Sequence, residues 1–387
     1  DLMVATGGNQ VGKEPTYRPR LYLNDGKGRF TRSQEDLPSA NKNMSTVTPV
    51  DYDGDGDIDV FIGSRSVVGV YGVTPNQLLL ENQGNGTFKN VTERTANDLK
   101  NAGMVTDAIW TDLDGNGHPD LITVADWGTP AIFMNNGRRL GRLRSSLDTL
   151  DGWWNAISAA DLDGDGDMDL VLGNQGTNLH YKPLPGRPVK MWVNDFDNNG
   201  TLEQIVTQTS NAEDYPIHQK KELTAQIVSL KKANLRASDY AKRTLKELFT
   251  PDLVNRSIVK QAKYSESVIA INDGNGVFRI QPLPARAQLS CICDIRCLDV
   301  NADGNLDLVM AGNNFEFKPQ FSRLDAGYGN VLLGDGNLGF EWQPYTQSGF
   351  TVREEVKYIR ELKDASGKTY VLVAANESQP RLFALHD

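Results

Sequence analysis

Cysteine is scarce in this sequence: Cys291, Cys293 and Cys297 are the only three, and all fall in one stretch. So few exclude a disulfide framework, and a thiolate metal site would lack its fourth ligand. Their alternate spacing predicts three small buried side chains on one face of a strand. Histidine is limited to His118, His180, His218 and His386, and no serine nucleophile elbow is present. Signals for hydrolytic chemistry are therefore thin. No apolar run approaches the ~20 residues of a membrane span, and no signal peptide is visible. Positive charge is also lacking. A formal net charge of −10 excludes the basic footprint that a nucleic-acid binder needs. The chain opens on DLMVATGG, which reads as the middle of a strand, so it is expected to be the C-terminal part of a longer protein.

Aspartate and glycine are abundant, and they are arranged in a repeat. The run DYDGDGDIDVFIG starts at Asp51 and recurs as DLDGNGHPDLITVA at Asp112, DLDGDGDMDLVLGN at Asp161, DFDNNGTLEQIVTQ at Asp195 and DVNADGNLDLVMAGN at Asp299. Degenerate copies, DLMVATGGN and KDASGKTYVLVAAN, bracket these five. A second element alternates with the first: RLYLNDGKGRFTR, QLLLENQGNGTFKNVT, SVIAINDGNGVFRIQP and NVLLGDGNLGFEWQP. Asn-Gly and Asp-Gly between apolar runs are strong hairpin signals. Each repeat then supplies four strands, A to D, with the acidic loop joining A to B. Four-stranded sheets repeated radially are the blades of a propeller. The expected fold is all-β: a seven-bladed β-propeller spanning 1–387 as one domain. Only 34 residues separate Asp161 from Asp195, so either the fourth blade lacks its outer hairpin, the preferred reading because the Asp195 loop keeps its ninth acid, or KMWVNDFDNNGTLEQIV is itself an outer hairpin that acquired a metal loop. Residues 216–263 break the β pattern and read as a helical insertion: Leu223, Ile227 and Leu230 recur at helical spacing, Ser238 can cap one helix, and Thr250-Pro251 can start another.

Carboxylates ~5 Å apart repel by on the order of 3 kcal/mol at an effective dielectric near 20, so a loop this acidic needs a cation. Oxygen donors at alternate positions suit Ca²⁺, which accepts six to eight irregular ligands, better than Mg²⁺, which demands a strict octahedron. The candidate ligands are Asp51, Asp53, Asp55, Asp57 and Asp59; Asp112, Asp114, Asn116, His118 and Asp120; Asp161, Asp163, Asp165, Asp167 and Asp169; Asp195, Asp197, Asn199, Thr201 and Glu203; and Asp299, Asn301, Asp303, Asn305 and Asp307. Position seven contributes its carbonyl, and the glycine at position six makes the sharp bend. An EF-hand is excluded: its twelfth position needs a bidentate glutamate, whereas Ile62, Thr123, Leu172, Val206 and Met310 stand there. About five Ca²⁺ ions in a structural role are expected, and their +10 would balance the formal −10.

If the A–B loops form one rim, the B–C loops form the other. Their long segments carry aromatic and cationic side chains, the usual material of a binding face on a rigid scaffold. The candidates are Tyr17, Arg20, Arg65, Tyr71, Trp127, Tyr181, Arg187, Phe317, Arg323 and Tyr328. The expected role is non-catalytic binding of a glycan or protein. A polysaccharide lyase acting on an acidic glycan is the alternative enzyme, and a structural subunit of a cell-surface assembly is the third reading.

The acidic loops resemble the FG-GAP/VCBS repeats of integrin-α-type propellers, with DYDGDGDIDVFIG and DLDGDGDMDLVLGN the nearest to that pattern. The order of VKMWVNDFDNNG, YPIHQKKEL, INDGNGVFRIQPLP, DAGYGNVLLGDG and VLVAAN is similar to the cartilage-acidic-protein-related (ASPIC/UnbV) group common in Bacteroidetes. That resemblance implies a calcium-binding propeller, extracytoplasmic, secreted or anchored at the outer surface. It implies no particular activity. Asn116, Asn199, Asn301 and Glu203 depart from the fully acidic pattern, and the last repeat has lost most of its carboxylates.

Overall fold

A computed structural model describes residues 1–8, 17–34, 37, 38, 42–84, 86–317, 321 and 323–385. Among them the chain is mostly β, folded into seven antiparallel sheets. The second sheet shows the unit clearly. Strands Lys42–Val50, Asp59–Val67, Leu78–Asn82 and Phe88–Asn90 lie side by side in chain order. The acidic loop joins the first two strands, and a turn at Asn82–Gly84 leads to the last. Every acidic loop closes in the same register. The residue before the first acid pairs with the ninth: Val50 with Asp59, Thr111 with Asp120, Ala160 with Asp169, Asn194 with Glu203 and Leu298 with Asp307.

Neighbouring sheets pack face to face, and the inner strands between them are continuous apolar runs buried on both faces, with successive side chains pointing to opposite neighbours. Phe61 and Leu79 of the second sheet meet Leu121 and Phe133 of the third. Ile122 and Ile132 of the third meet Leu170 and Val268 of the fourth. Val171 and Ile269 continue to Ile295 and Leu308, and Val309 and Val331 to Ile359 and Val373. Side chains also stitch the sheets together: the Asn135 amide donates to the Tyr52 carbonyl at 2.7 Å, and the Ser45 hydroxyl donates to the Val105 carbonyl at 2.6 Å. Six sheets contribute residues, Val4, Thr46, Asp107, Ile157, Asp294 and Tyr358 among them, to one cavity of about 1300 Å³.

The remaining sheet departs from the expected scheme. The fourth sheet does not lack its outer hairpin: Leu170–Leu172 pair with Val268–Ala270, and Phe278–Pro282 completes the order. The chain leaves after Gly173 and returns at Val268 because five consecutive buried residues there, Val268–Asn272, cover the open strand edge. Between these points lies a nested sheet ordered Glu213–Pro216, Glu203–Ser210, Val189–Asn194, Ile258–Ala262, and it carries the Asp195 loop.

Five short helices within Lys220–Arg256 pack Leu223, Ile227, Tyr240 and Leu245 against Ile205 of that sheet and Phe196 of its acidic loop. Thr250 caps the last of them, with Pro251 at its first position, as its sequence indicates. Ser238 is not a cap. It lies inside the helix Ala237–Tyr240, and Thr244 with Glu247 forms a capping box for Leu245–Leu248. The cysteines also differ from expectation. Cys297 alone is in a strand, while Cys291 and Cys293 precede it with sulfurs 3.5 Å apart.

Candidate functional site

The acidic loops share one hydrogen-bond scheme. The first acid folds back over its loop, and one oxygen accepts the N–H of the glycine at position six: Asp51 from Gly56, Asp112 from Gly117, Asp161 from Gly166, Asp195 from Gly200 and Asp299 from Gly304. Those glycines all have positive φ. Position four is left-handed too, even where Asn198 or Ala302 occupies it; sequence reasoning missed that second requirement, although Gly recurs there in three loops. The side chain at position five accepts the N–H of position seven in all five loops, from Asp55–Asp57 to Asp303–Asn305.

The ninth acid is buried and bridges two elements. Asp120 accepts from Leu113 N–H at 2.9 Å and from Asn135 N–H at 2.6 Å, the latter on the outer hairpin. Asp59, Asp169 and Asp307 make the same bridge to Asn82, Asn272 and Gly334. Burial pushes Asp59 and Asp120 up to about 6 and shifts Asp169 and Asp307 the same way, because a desolvated carboxylate prefers its neutral form. Burial, then the charge of Asp55, also raises Asp53.

Four loops bring three carboxylates together with an oxygen of each within 4.8 Å: Asp51, Asp53, Asp59; Asp112, Asp114, Asp120; Asp161, Asp163, Asp165; and Asp195, Asp197, Glu203. At that distance each like-charged pair costs roughly 1 to 3 kcal/mol, depending on solvent access. The donor set is all oxygen, which suits a hard cation. One oxygen each of Asp53 and Asp197 is buried without a hydrogen-bond partner. The groups thus fit a divalent ion, which would bind where the loops leave acceptors unused. The Asp299 loop makes no such triad among the described residues: Asn301 stands at its third position and donates to Asp303 at 2.9 Å.

The opposite ends of the same strands build a second site. Arg65, Asp126, Gln175 and Asn314 follow or end the strands that the acidic loops begin, and all line a cavity of about 400 Å³. Five expected face residues converge there: Arg65, Tyr71, Trp127, Tyr181 and Phe317. The other five do not. Tyr17 is buried, and Arg20 opens the strand Arg20–Asn24. Arg187 sits in an exposed turn with Leu184. Arg323 lies 5.5 Å from the Phe315 ring, and Tyr328 stacks on Tyr345 at 5.8 Å, with the Arg353 guanidinium 4.3 Å from the Tyr328 ring.

Asp126, which the sequence reading overlooked, is the polar centre of the cavity. It is 4% exposed and accepts Arg65 Nε at 3.1 Å, Arg65 Nη2 at 2.7 Å and the Tyr71 hydroxyl. Its charge raises the Arg65 guanidinium further above its usual range. Burial, then the Asp126 charge, raises Tyr71 well above the usual phenol range and pushes Tyr181 up to about 12. Trp127 has a φ of 54°, unusual for a bulky residue. Its ring meets Trp153 edge-on at 5.3 Å, and Trp153 meets Tyr181 at 6.3 Å. The nested sheet supplies the opposite wall: Val189, Met191 and Ala262 pack on the two tryptophans. Gly72 sits so close to this sheet that a Cβ would lie 2.5 Å from Val193, which fixes the loop that presents Tyr71.

Residues 1–62 and 112–172 match the FG-GAP-like repeat family, and these segments contain the Asp51, Asp112 and Asp161 loops. Those two segments are similar to FG-GAP-like repeats. No curated protein matches the sequence. Among solved structures it is similar to the crystal structure of the V. cholerae biofilm matrix protein Bap1, at 10% identity over 95% of this chain and 73% of that one, with a TM-score of 0.37. A likeness that remote says nothing of what this chain binds. No helix among the described residues is long and apolar enough to cross a membrane.

Proposed function

We propose that this FG-GAP-repeat chain is a calcium-stabilised β-propeller, exported from the cytoplasm, that recognises a glycan or protein without turning it over. The observation that carries the reading is the convergence of Arg65, Tyr71, Trp127, Tyr181 and Phe317 on one cavity, at the strand ends away from the acidic loops. The successive packing of five sheets, and the cavity to which six contribute, support the propeller. Calcium is the proposed cation of the acidic loops, and the millimolar concentration outside cells fills sites of modest affinity. Membership of the cartilage-acidic-protein-related group is proposed on the order of motifs alone.

The cavity is poorly equipped as a lyase. A phenol held well above its usual range stays protonated at neutral pH and cannot take a proton from a substrate, and Arg65 is already engaged by Asp126. The test is incubation with neutral and acidic polysaccharides in calcium buffer, with retention on the polymer and its chain length read together. Retention without shortening is expected. Shortening would make the protein an enzyme. With neither, protein partners take over, and crosslinks concentrated on Lys220–Lys263 would point to an assembly subunit.

A further inference from the structure

The 400 Å³ cavity has unmet hydrogen-bonding needs that identify its ligand class. Gln175 lines it, and its side-chain oxygen is buried with no donor among the described residues. Asp126 gathers Arg65 and Tyr71 on Oδ2, while no donor among the described residues reaches Oδ1. The Gln175 oxygen, buried without a donor, is costly, and Asp126 Oδ1 is open to one, so the ligand is expected to bring donors. Gln204 and Asn314, which also line the cavity, offer amide groups that both donate and accept. A hydroxyl group also does both. A molecule bearing several hydroxyls on one ring can therefore serve all of these groups at once.

Charge narrows the choice. Arg65 and Asp126 neutralise each other in the cavity wall, 2.7 Å apart. A cation among the aromatic rings would face the Arg65 guanidinium. A carboxylate would face Asp126, and the guanidinium that could have received it is already bound. An uncharged ligand meets neither penalty. The apolar part of the wall agrees: Trp127 and Trp153 stand at 89° to one another, and Trp153 and Tyr181 at 83°. Such a corner accepts the C–H face of a small saturated ring. The volume is in the range of small-molecule sites, and it holds a short saccharide but not a folded partner element.

We infer that this cavity binds one or two units of an uncharged sugar, held by Gln175 and Asp126 against the Trp127–Trp153 corner. The inference rests on the recognition reading above and names its ligand. The test is tryptophan-fluorescence titration of the full chain in calcium buffer with glucose, galactose, mannose, N-acetylglucosamine and disaccharides of these. Galacturonic acid serves as the charged comparison. At least one neutral sugar is expected to saturate the signal, with galacturonic acid about tenfold weaker or worse. Gln175→Leu should weaken that sugar about tenfold, the loss of one well-placed hydrogen bond, at an unchanged melting temperature. Tyr328→Ala, outside the cavity, should leave binding intact. If Gln175→Leu melts early, Asn314→Leu replaces it, with the same expected loss.

The inference is overturned if no neutral sugar saturates, if galacturonic acid binds more tightly, or if the folded cavity variant binds like the parent. A chain that is retained on a polysaccharide but ignores every free sugar overturns this inference and leaves the recognition reading standing. A chain that does neither, but captures a peptide in the same cavity, overturns the sugar and keeps the cavity as a protein-binding site.

Discussion

Asp53→Asn should change the sign of its effect with calcium. Asp53 shares a cluster with Asp51 and Asp59, one oxygen of each lying within 4.8 Å of the others. Two of the three repulsive pairs therefore involve Asp53. Each is worth about 3 kcal/mol at an effective dielectric near 20 and about 1 kcal/mol in water. The loop is partly exposed, so screening holds the total near the lower figure. One Asp53 oxygen has no hydrogen-bond partner to lose. In EDTA, then, the neutral amide should stabilise the fold by roughly 1 to 3 kcal/mol. With calcium at about a hundred times its dissociation constant, an occupied site contributes about 2.7 kcal/mol. Removing one anionic ligand forfeits most of that, and the variant becomes less stable than the parent. Urea unfolding followed by tryptophan fluorescence, with calcium and with EDTA, measures both. A variant that is destabilised equally in the two buffers would refute the reasoning, because the carboxylate would then be holding protein, not metal.

Two further outcomes follow from the same geometry. Asn135→Ala should cost about 2 to 4 kcal/mol in urea unfolding, because it removes bonds to the Tyr52 and Pro119 carbonyls and to Gly137 N–H; Asn82→Ala, whose half-buried side chain makes two longer bonds, to the Ile58 carbonyl and from Gly84 N–H, should cost about 1 to 2. The pH dependence has a definite sign. Asp59 and Asp120 are raised to about 6 without metal, so the native state holds protons that the unfolded state has released, and metal-free stability falls as pH rises from about 4 to about 6. Calcium binds the deprotonated loops, so the melting-temperature gain on adding calcium should be small at pH 5 and large at pH 7.5. A gain that shrinks as pH rises would contradict it.

Much of this was legible in the sequence because the loops have a fixed chemistry. Alternating acids, the glycine at position six and an apolar strand after position nine translate directly into the register Val50–Asp59 and its four copies. The ninth acid was read as a ligand only. Its bridge to Asn82 or Asn135 joins residues on different hairpins, and one strand's pattern does not reveal such a contact. The nested sheet was misplaced because a strand's edge partner need not be its sequence neighbour: Leu170 pairs with Ala270, and the hairpin that looked like a new repeat completes an old one. The short spacing from Asp161 to Asp195 was the available signal, and it marked an interruption, not a deletion. The cavity is legible only in part for the same reason. Arg65, Tyr71 and Trp127 stand out as loop residues, but Asp126 sits at the end of an apolar strand, and Trp153 and Gln175 come to it from strands of the third and fourth sheets, with Met191 and Val206 of the inserted sheet facing them.

The central claim is that ions in the acidic loops brace the scaffold behind the binding cavity. Thermal unfolding of EDTA-treated protein before and after calcium is restored, with bound metal counted on the same sample, tests it most directly. The account predicts a rise of several degrees and four or five ions per chain, matching the four carboxylate clusters and the five loops. An unchanged melting temperature, or a protein that retains no calcium, would contradict it.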